Sequence, residues 1–147
     1  RDNRWENFSE DVHSLFFPFG SSRDDLHGHK GAKNVPSSRR IFARYGEGEG
    51  YPDGMTVDSE DCLWIAFWDG WCVRRYSPEG NCLELIGLPV QKPTSCAFGG
   101  PAMGQLYVTS ASIGLTRQER LDQPCAGGLF MLDTGAIAGD ADTVFPG

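Results

Sequence analysis

The candidate site in this chain is the run Gly50-Tyr51-Pro52-Asp53-Gly54-Met55. Pro52 restricts Tyr51 to an extended conformation, and Gly54 lets the backbone bend just after Asp53. The Asp53 carboxylate therefore stands where a strand begins. Two readings are open. Facing a cavity, the carboxylate can meet a ligand; in a solvated turn it caps its own backbone, as Asp-Gly pairs often do. Other chemistry-bearing residues are more ambiguous. His27 and His29 are a metal pair by type, but they flank Gly28 beside Lys30 in an aperiodic stretch that reads as surface loop. Glu47 and Glu49 could line a channel mouth or lie in a solvated glycine-rich loop. Trp64 alternates with Leu63 and Ile65 and reads as core, whereas Trp68 and Trp71 flank an Asp69-Gly70 turn and could stack on a sugar ring. Thr94 and Ser95 could hydrogen-bond a ligand or cap a strand end.

These residues are embedded in short strands. From Arg39 onward the apolar runs are Ile41 to Tyr45, Met55 to Val57, Cys62 to Phe67, Cys72 to Tyr76, Cys82 to Ile86, Ser95 to Phe98, Leu106 to Ser110 and Leu129 to Leu132. They are rich in aromatic and β-branched types and are separated by Ser-Glu-Asp, Asp-Gly, Ser-Pro-Glu-Gly and Gly-Gly-Pro turns. The fold class is all-β. The strands also repeat, with Leu63 and Leu106 at matching places in two four-strand meanders, the second ending at Thr143-Val144-Phe145. That spacing suits one blade of a β-propeller, about 40–50 residues. In a propeller the first strand of each blade lines the axial channel, which would bring Asp53, Thr94 and Ser95 to a shared cavity. The second meander carries an insertion over residues 113–127, where Thr116 and Glu119 have the spacing of a capping box. Residues 8–17 read as a turn and then a strand, and residues 20–38 as loop.

Composition narrows the classes. The 147 residues include nineteen glycines and nine prolines, above the roughly 12% usual for the two together. Thirteen Lys and Arg against twenty Asp and Glu give a net charge of −7, so no basic patch is expected to attract nucleic acid. No apolar stretch approaches the length of a membrane span, and no leader pattern opens the chain. Five cysteines form no C-x-x-C pair. Cys62, Cys72 and Cys96 fall in apolar runs and read as reduced core residues of a cytoplasmic protein. The chain opens at Arg1 without Met, as a processed product or a piece of something longer would.

Beyond residue types, Arg39 to Ala43, Gly50 to Glu60 and Cys62 to Ala66 together resemble the senescence-marker-protein/gluconolactonase family, which includes luciferin-regenerating enzymes. Trp68 to Tyr76, Leu88-Pro89-Val90, Pro93 to Gly100, Leu106 to Ala111 and Ala126 to Phe130 continue the match in order. The resemblance implies a six-bladed propeller with one divalent metal, calcium, zinc or manganese, in the axial channel, and hydrolysis of sugar lactones. It implies that Asp53 is both metal ligand and general base. A second ligand in the family is an asparagine preceding a turn like Phe8-Ser9-Glu10-Asp11, for which Asn3 is the better candidate and Asn7 the poorer. The family's first-blade glutamate has no counterpart here.

The resulting expectation is about three of six four-stranded blades. Residues 1–38 are a diverged or poorly ordered remnant of a central blade, and residues 39–147 are the C-terminal blades. Asp61 replaces the family's usual glycine and must take its left-handed conformation. Uncovered blade edges favour self-association. Two functions follow: the C-terminal fragment of a lactonase, or a catalytically inactive propeller piece that serves only in assembly.

Overall fold

The computed structural model describes residues 13–18 and 39–140. The chain divides into two compact units, Arg1–Glu47 and Gly48–Gly147. In the first, β1 (His13–Pro18) pairs antiparallel with β2 (Arg39–Tyr45). Phe42, Ala43 and Tyr45 of β2 are buried. The expected strand after the 8–11 turn is thus present as β1. The expected loop over 20–38 and the final strand at Thr143 to Phe145 lie outside the described residues, as do Asn3, Asn7, His27 and His29.

The second unit contains two antiparallel meanders. β3 (Tyr51–Val57), β4 (Leu63–Trp68), β5 (Cys72–Tyr76) and β6 (Cys82–Gly87) form a four-stranded sheet in sequence order. β7 (Pro93–Gly99), β8 (Gln105–Ser110) and β9 (Leu129–Asp133) form a three-stranded sheet, again in order. β5 coincides with its run read from the sequence, and β4 is shifted from its run by one residue. The other strands of these two sheets are their runs lengthened by one to four residues. Turn chemistry fits the backbone: Asp61 has φ 59°, in the left-handed region its position demands. Asp69, which opens the β4–β5 turn, is also left-handed at φ 59°.

The core lies between the two sheets. Trp64 and Ala66 of β4 and Val73 of β5 pack with Cys96 of β7 and with Leu106 and Val108 of β8. Trp64 meets Phe98 edge to face, with ring centroids 5.9 Å apart. Trp64 is therefore core, as its alternation with Leu63 and Ile65 predicts. The 113–127 insertion sits between β8 and β9 and holds one short helix, α1 (Arg117–Asp122). Thr116 Oγ1 accepts from the Glu119 amide at 3.2 Å, and Glu119 Oε2 accepts from the Thr116 amide at 2.7 Å. The predicted capping box is present.

Candidate functional site

Asp53 is the third residue of β3, so it lies inside the strand and not before it. The pairing of β3 with β4 slips here: Pro52 faces Phe67 and Met55 faces Ile65, leaving Asp53 and Gly54 opposite the single residue Ala66. A slip of this kind bends the strand and re-aims its side chains. Asp53 is exposed, and among the described residues its carboxylate has no hydrogen-bond or ion-pair partner. Self-capping therefore does not account for this carboxylate within the described structure.

Gly54 has a different reason from the bend the sequence suggests. It is absent from the left-handed glycines. Instead, a Cβ there would come within 2.5 Å of Ser95 Cβ and closer still to Ser95 Oγ. The glycine is needed because β7 presses its Ser95 onto the backbone next to Asp53. β7 slips at the matching place, between Pro93 and Ser95. Aligning Ile65 with Val108 makes Pro52 equivalent to Pro93, Asp53 to Thr94 and Gly54 to Ser95. Thr94 Oγ1 lies 2.7 Å from Thr109 Oγ1, the residue equivalent to Ala66. At one position, then, the first sheet offers an unpaired carboxylate and the second a hydroxyl held by its neighbour.

The most connected acid in the described structure is Asp58, to which sequence reading gave no role. Fully buried at 0% exposure, it accepts from Arg75 Nε at 2.7 Å, Trp64 Nε1 at 2.8 Å, and the amides of Glu60 and Cys62. Arg75 Nη2 also reaches Glu60 Oε2 at 2.6 Å. Burial alone would raise the Asp58 carboxyl, but Arg75, Trp64 and the two amides outweigh it and hold it below the usual range. Asp58 thus performs the Asx-type capping considered for Asp53. A signal was present: Arg75 shares a strand face with Val73, so a buried carboxylate had to meet it.

The remaining candidates are mostly scaffolding. Glu49 is not merely solvated, since its Oε1 pairs with Arg74 Nη1 at 3.3 Å and its carbonyl accepts from Arg74 Nη2 at 3.2 Å. Arg74 lies 4.3 Å from the centroid of Phe67 and fixes the approach to β3. Trp68 is half-buried with Lys92 Nζ 5.0 Å from its ring centroid, while Trp71 is exposed. Lys92 Nζ also donates to the Ile113 carbonyl at 2.9 Å, and Gln123 Oε1 accepts from the Gln91 amide at 2.6 Å. These bonds pin the insertion to the connector between the two sheets.

The profile of the SMP-30/Gluconolactonase/LRE-like region matches residues 7–112. The chain belongs to this family. It is 40% identical over 112 residues to regucalcin of Xenopus laevis, covering 76% of this chain and 38% of that one. To human regucalcin it is 39% identical over 112 residues, covering the same shares. Among solved structures it resembles a calcium-binding protein, regucalcin, from Agrobacterium tumefaciens, with TM-score 0.65 and 29% identity over 70% of this chain and 35% of that chain. A luciferin-regenerating enzyme gives TM-score 0.61 and 32% identity over 71% and 36%. The chain therefore spans somewhat more than a third of the length of the relatives it matches.

Family membership makes the fit of a cation to these residues a physical question. The exposed Asp53 carboxylate is hard-oxygen chemistry, suited to calcium, magnesium or manganese. Hydroxyl oxygens of Ser95, Thr94 and Thr109 lie on the neighbouring strands. No group of three His, Cys, Asp or Glu side chains converges among the described residues. Asp53 thus fits as one ligand of a cation, with the other first-sphere donors still to be supplied.

Proposed function

We propose that this chain is the C-terminal part of a metal-dependent sugar lactone hydrolase, with Asp53 as metal ligand and general base. The observation that carries this reading is the unpaired Asp53 carboxylate at the slipped register of β3, inside a segment that matches the family. A divalent cation, when bound, polarises a lactone carbonyl and makes bound water more acidic. Asp53 Oδ holds one side of that site and takes the proton from the attacking water. The water oxygen adds to the lactone carbonyl carbon, the ring C–O bond breaks, and the proton ends on the released hydroxyl, giving the hydroxy acid. The calcium-binding description of the Agrobacterium relative supports a divalent ion.

The same reading takes β3–β6 and β7–β9 as two blades of six, residues 39–147 as the C-terminal blades, and residues 1–38 as the remnant of a central blade. The exposed Leu83 and Leu85 on β6, and Leu129 and Met131 on β9, support self-association through these outer strands. No described helix is long and apolar enough to cross a membrane, and the buried, unpaired Cys62, Cys72 and Cys96 suit a reducing cytoplasm. Asn3 is the proposed second ligand.

A second reading, an inactive assembly piece, is favoured by the absence of a three-ligand cluster among the described residues. Calorimetric titration with calcium, manganese and zinc separates the two. The lactonase reading expects binding tighter than about 100 µM that disappears in Asp53→Asn. Absence of binding by all three ions supports the assembly reading.

A further inference from the structure

Ser95 is exposed at the start of β7, yet it is the residue that touches the candidate site most closely from the second sheet. Its Cβ and Oγ lie against Gly54, the residue after Asp53, closely enough that no side chain fits between them. Its backbone is fixed twice over. The carbonyl accepts from Thr109 Oγ1 at 3.4 Å, and Thr109 Oγ1 is itself 2.7 Å from Thr94 Oγ1. The neighbouring Cys96 is buried and points its sulfur to the Trp64 carbonyl at 3.3 Å. Among the described residues the Ser95 hydroxyl itself has no hydrogen-bond partner, although those of Thr94 and Thr109 beside it are engaged. An exposed, unpaired hydroxyl on a fixed backbone, packed against the residue that follows an unpaired carboxylate, is suited to bind an oxygen that the carboxylate does not reach.

We propose that Ser95 is a positioning residue whose hydroxyl hydrogen-bonds a water of the hydrated divalent cation held by Asp53, an outer contact and not a direct ligand bond. This rests on the reading of Asp53 as a ligand. The hydroxyl can accept from a cation-bound water, whose O–H is polarised, so the contact strengthens when the ion is present. Outer contacts of this kind alter metal affinity by about 10–100-fold. Thr94, already committed to Thr109, does not serve the ion.

The test is manganese titration of the full chain, followed by electron paramagnetic resonance of the bound ion, for wild type and three variants. Ser95→Ala should weaken manganese binding about tenfold and change the bound-ion spectrum, with circular dichroism and melting temperature as in wild type. Thr94→Val, which breaks the threonine pair but leaves the Ser95 hydroxyl, should stay within about twofold of wild type. Asp53→Asn should lose binding. Wild-type affinity and spectrum in Ser95→Ala, alongside lost binding in Asp53→Asn, overturns the Ser95 assignment alone. A wild-type chain that binds no manganese overturns the ligand reading of Asp53, and Ser95's role with it.

Discussion

The two sheets of Gly48–Gly147 repeat the same strand plan, and the repeat isolates what a neighbour does. With Ile65 aligned to Val108, Val73 of β5 corresponds to Leu129 of β9, and Arg75 to Met131. In the first sheet this face meets the second sheet, and Val73 and Arg75 are 0% and 7% exposed. In the second sheet nothing described covers the same face, and Leu129 and Met131 are 66% and 59% exposed. The residue types follow the burial. Arg75 can be buried because Asp58 and Glu60 accept its hydrogen bonds and its guanidinium lies over the Trp64 ring, 5.9 Å from the centroid. At the corresponding second-sheet positions stand Gly99, whose Cβ would meet the Tyr107 ring at 3.0 Å, and Met131, with no charge to satisfy. A strand repeat therefore specifies where a face lies, and the next sheet decides which chemistry that face can carry.

The sharpest way to break the contrast is Asp58→Ala. It leaves Arg75 with the exposed Glu60 as its remaining acid partner, strips its buried one, and removes the acceptor of the Trp64 indole. Loss of one partner of a buried pair costs about 3–5 kcal/mol, read as a lower urea midpoint. Met131→Ala, at the position equivalent to Arg75, should stay within about 1 kcal/mol, since exposed substitutions cost little. The same carboxylate sets an acid limit. Its folded-state pKa lies below the unfolded value near 3.9. Its contribution is therefore fully present above that value and is lost as pH falls through the lower, folded-state one. In Asp58→Asn this component of acid unfolding should vanish.

Thiol chemistry sharpens the comparison with a smaller effect on stability and a large one on rate. Cys62, Cys72 and Cys96 are buried while Cys82 and Cys125 are exposed. Burial pushes the Cys96 thiol up to about 12, and it also raises Cys62 and Cys72. Only thiolate attacks an alkylating reagent. Two cysteines per native chain should label rapidly at pH 8 and three only on unfolding, counted by mass spectrometry. Fast labelling of Cys96 would mean that β7 does not stay packed against β4.

How much of this was legible in the sequence depended on range. Strand positions, the capping box and the left-handed Asp61 are written within a few neighbouring residues, and within the described residues each appears close to where it was expected. The reason for Gly54 was not legible. It is Ser95, forty-one residues away in the chain, and no local pattern announces a contact across two sheets. Asp58 was overlooked for a related cause. Its turn donors at Glu60 and Cys62 are local, but Arg75 reaches it from β5. Asp53 was conspicuous because proline and glycine bracket it, yet its openness depends on Ala66 standing where the second sheet has Thr109.

The smallest expected effect concerns the insertion, the feature that the second sheet has and the first lacks. Its helix is only six residues long and buries none of them, so packing cannot hold it and its ends must. At the N-terminus the hold is the Thr116–Glu119 box, with the Thr116 amide drawing the Glu119 carboxyl below its usual range. At the C-terminus Gln123, buried at 4% exposure, accepts from the Gln91 amide, and Gln91 Nε2 donates to Asp69 Oδ1 at 2.8 Å in the first sheet's β4–β5 turn. The two ends are thus held by different parts of the molecule. Thr116→Ala removes the cap at a cost of about 1 kcal/mol, and that loss should stay within the insertion. Hydrogen exchange at residues 117–122 should accelerate about fivefold, while the global melting temperature remains unchanged. The Gln91 amide should keep its protection, because its acceptor is the Gln123 side chain and the link to the first sheet does not pass through the cap. If Gln91 loses protection as well, the insertion and connector open as one unit, and the helix itself is part of what joins the two sheets.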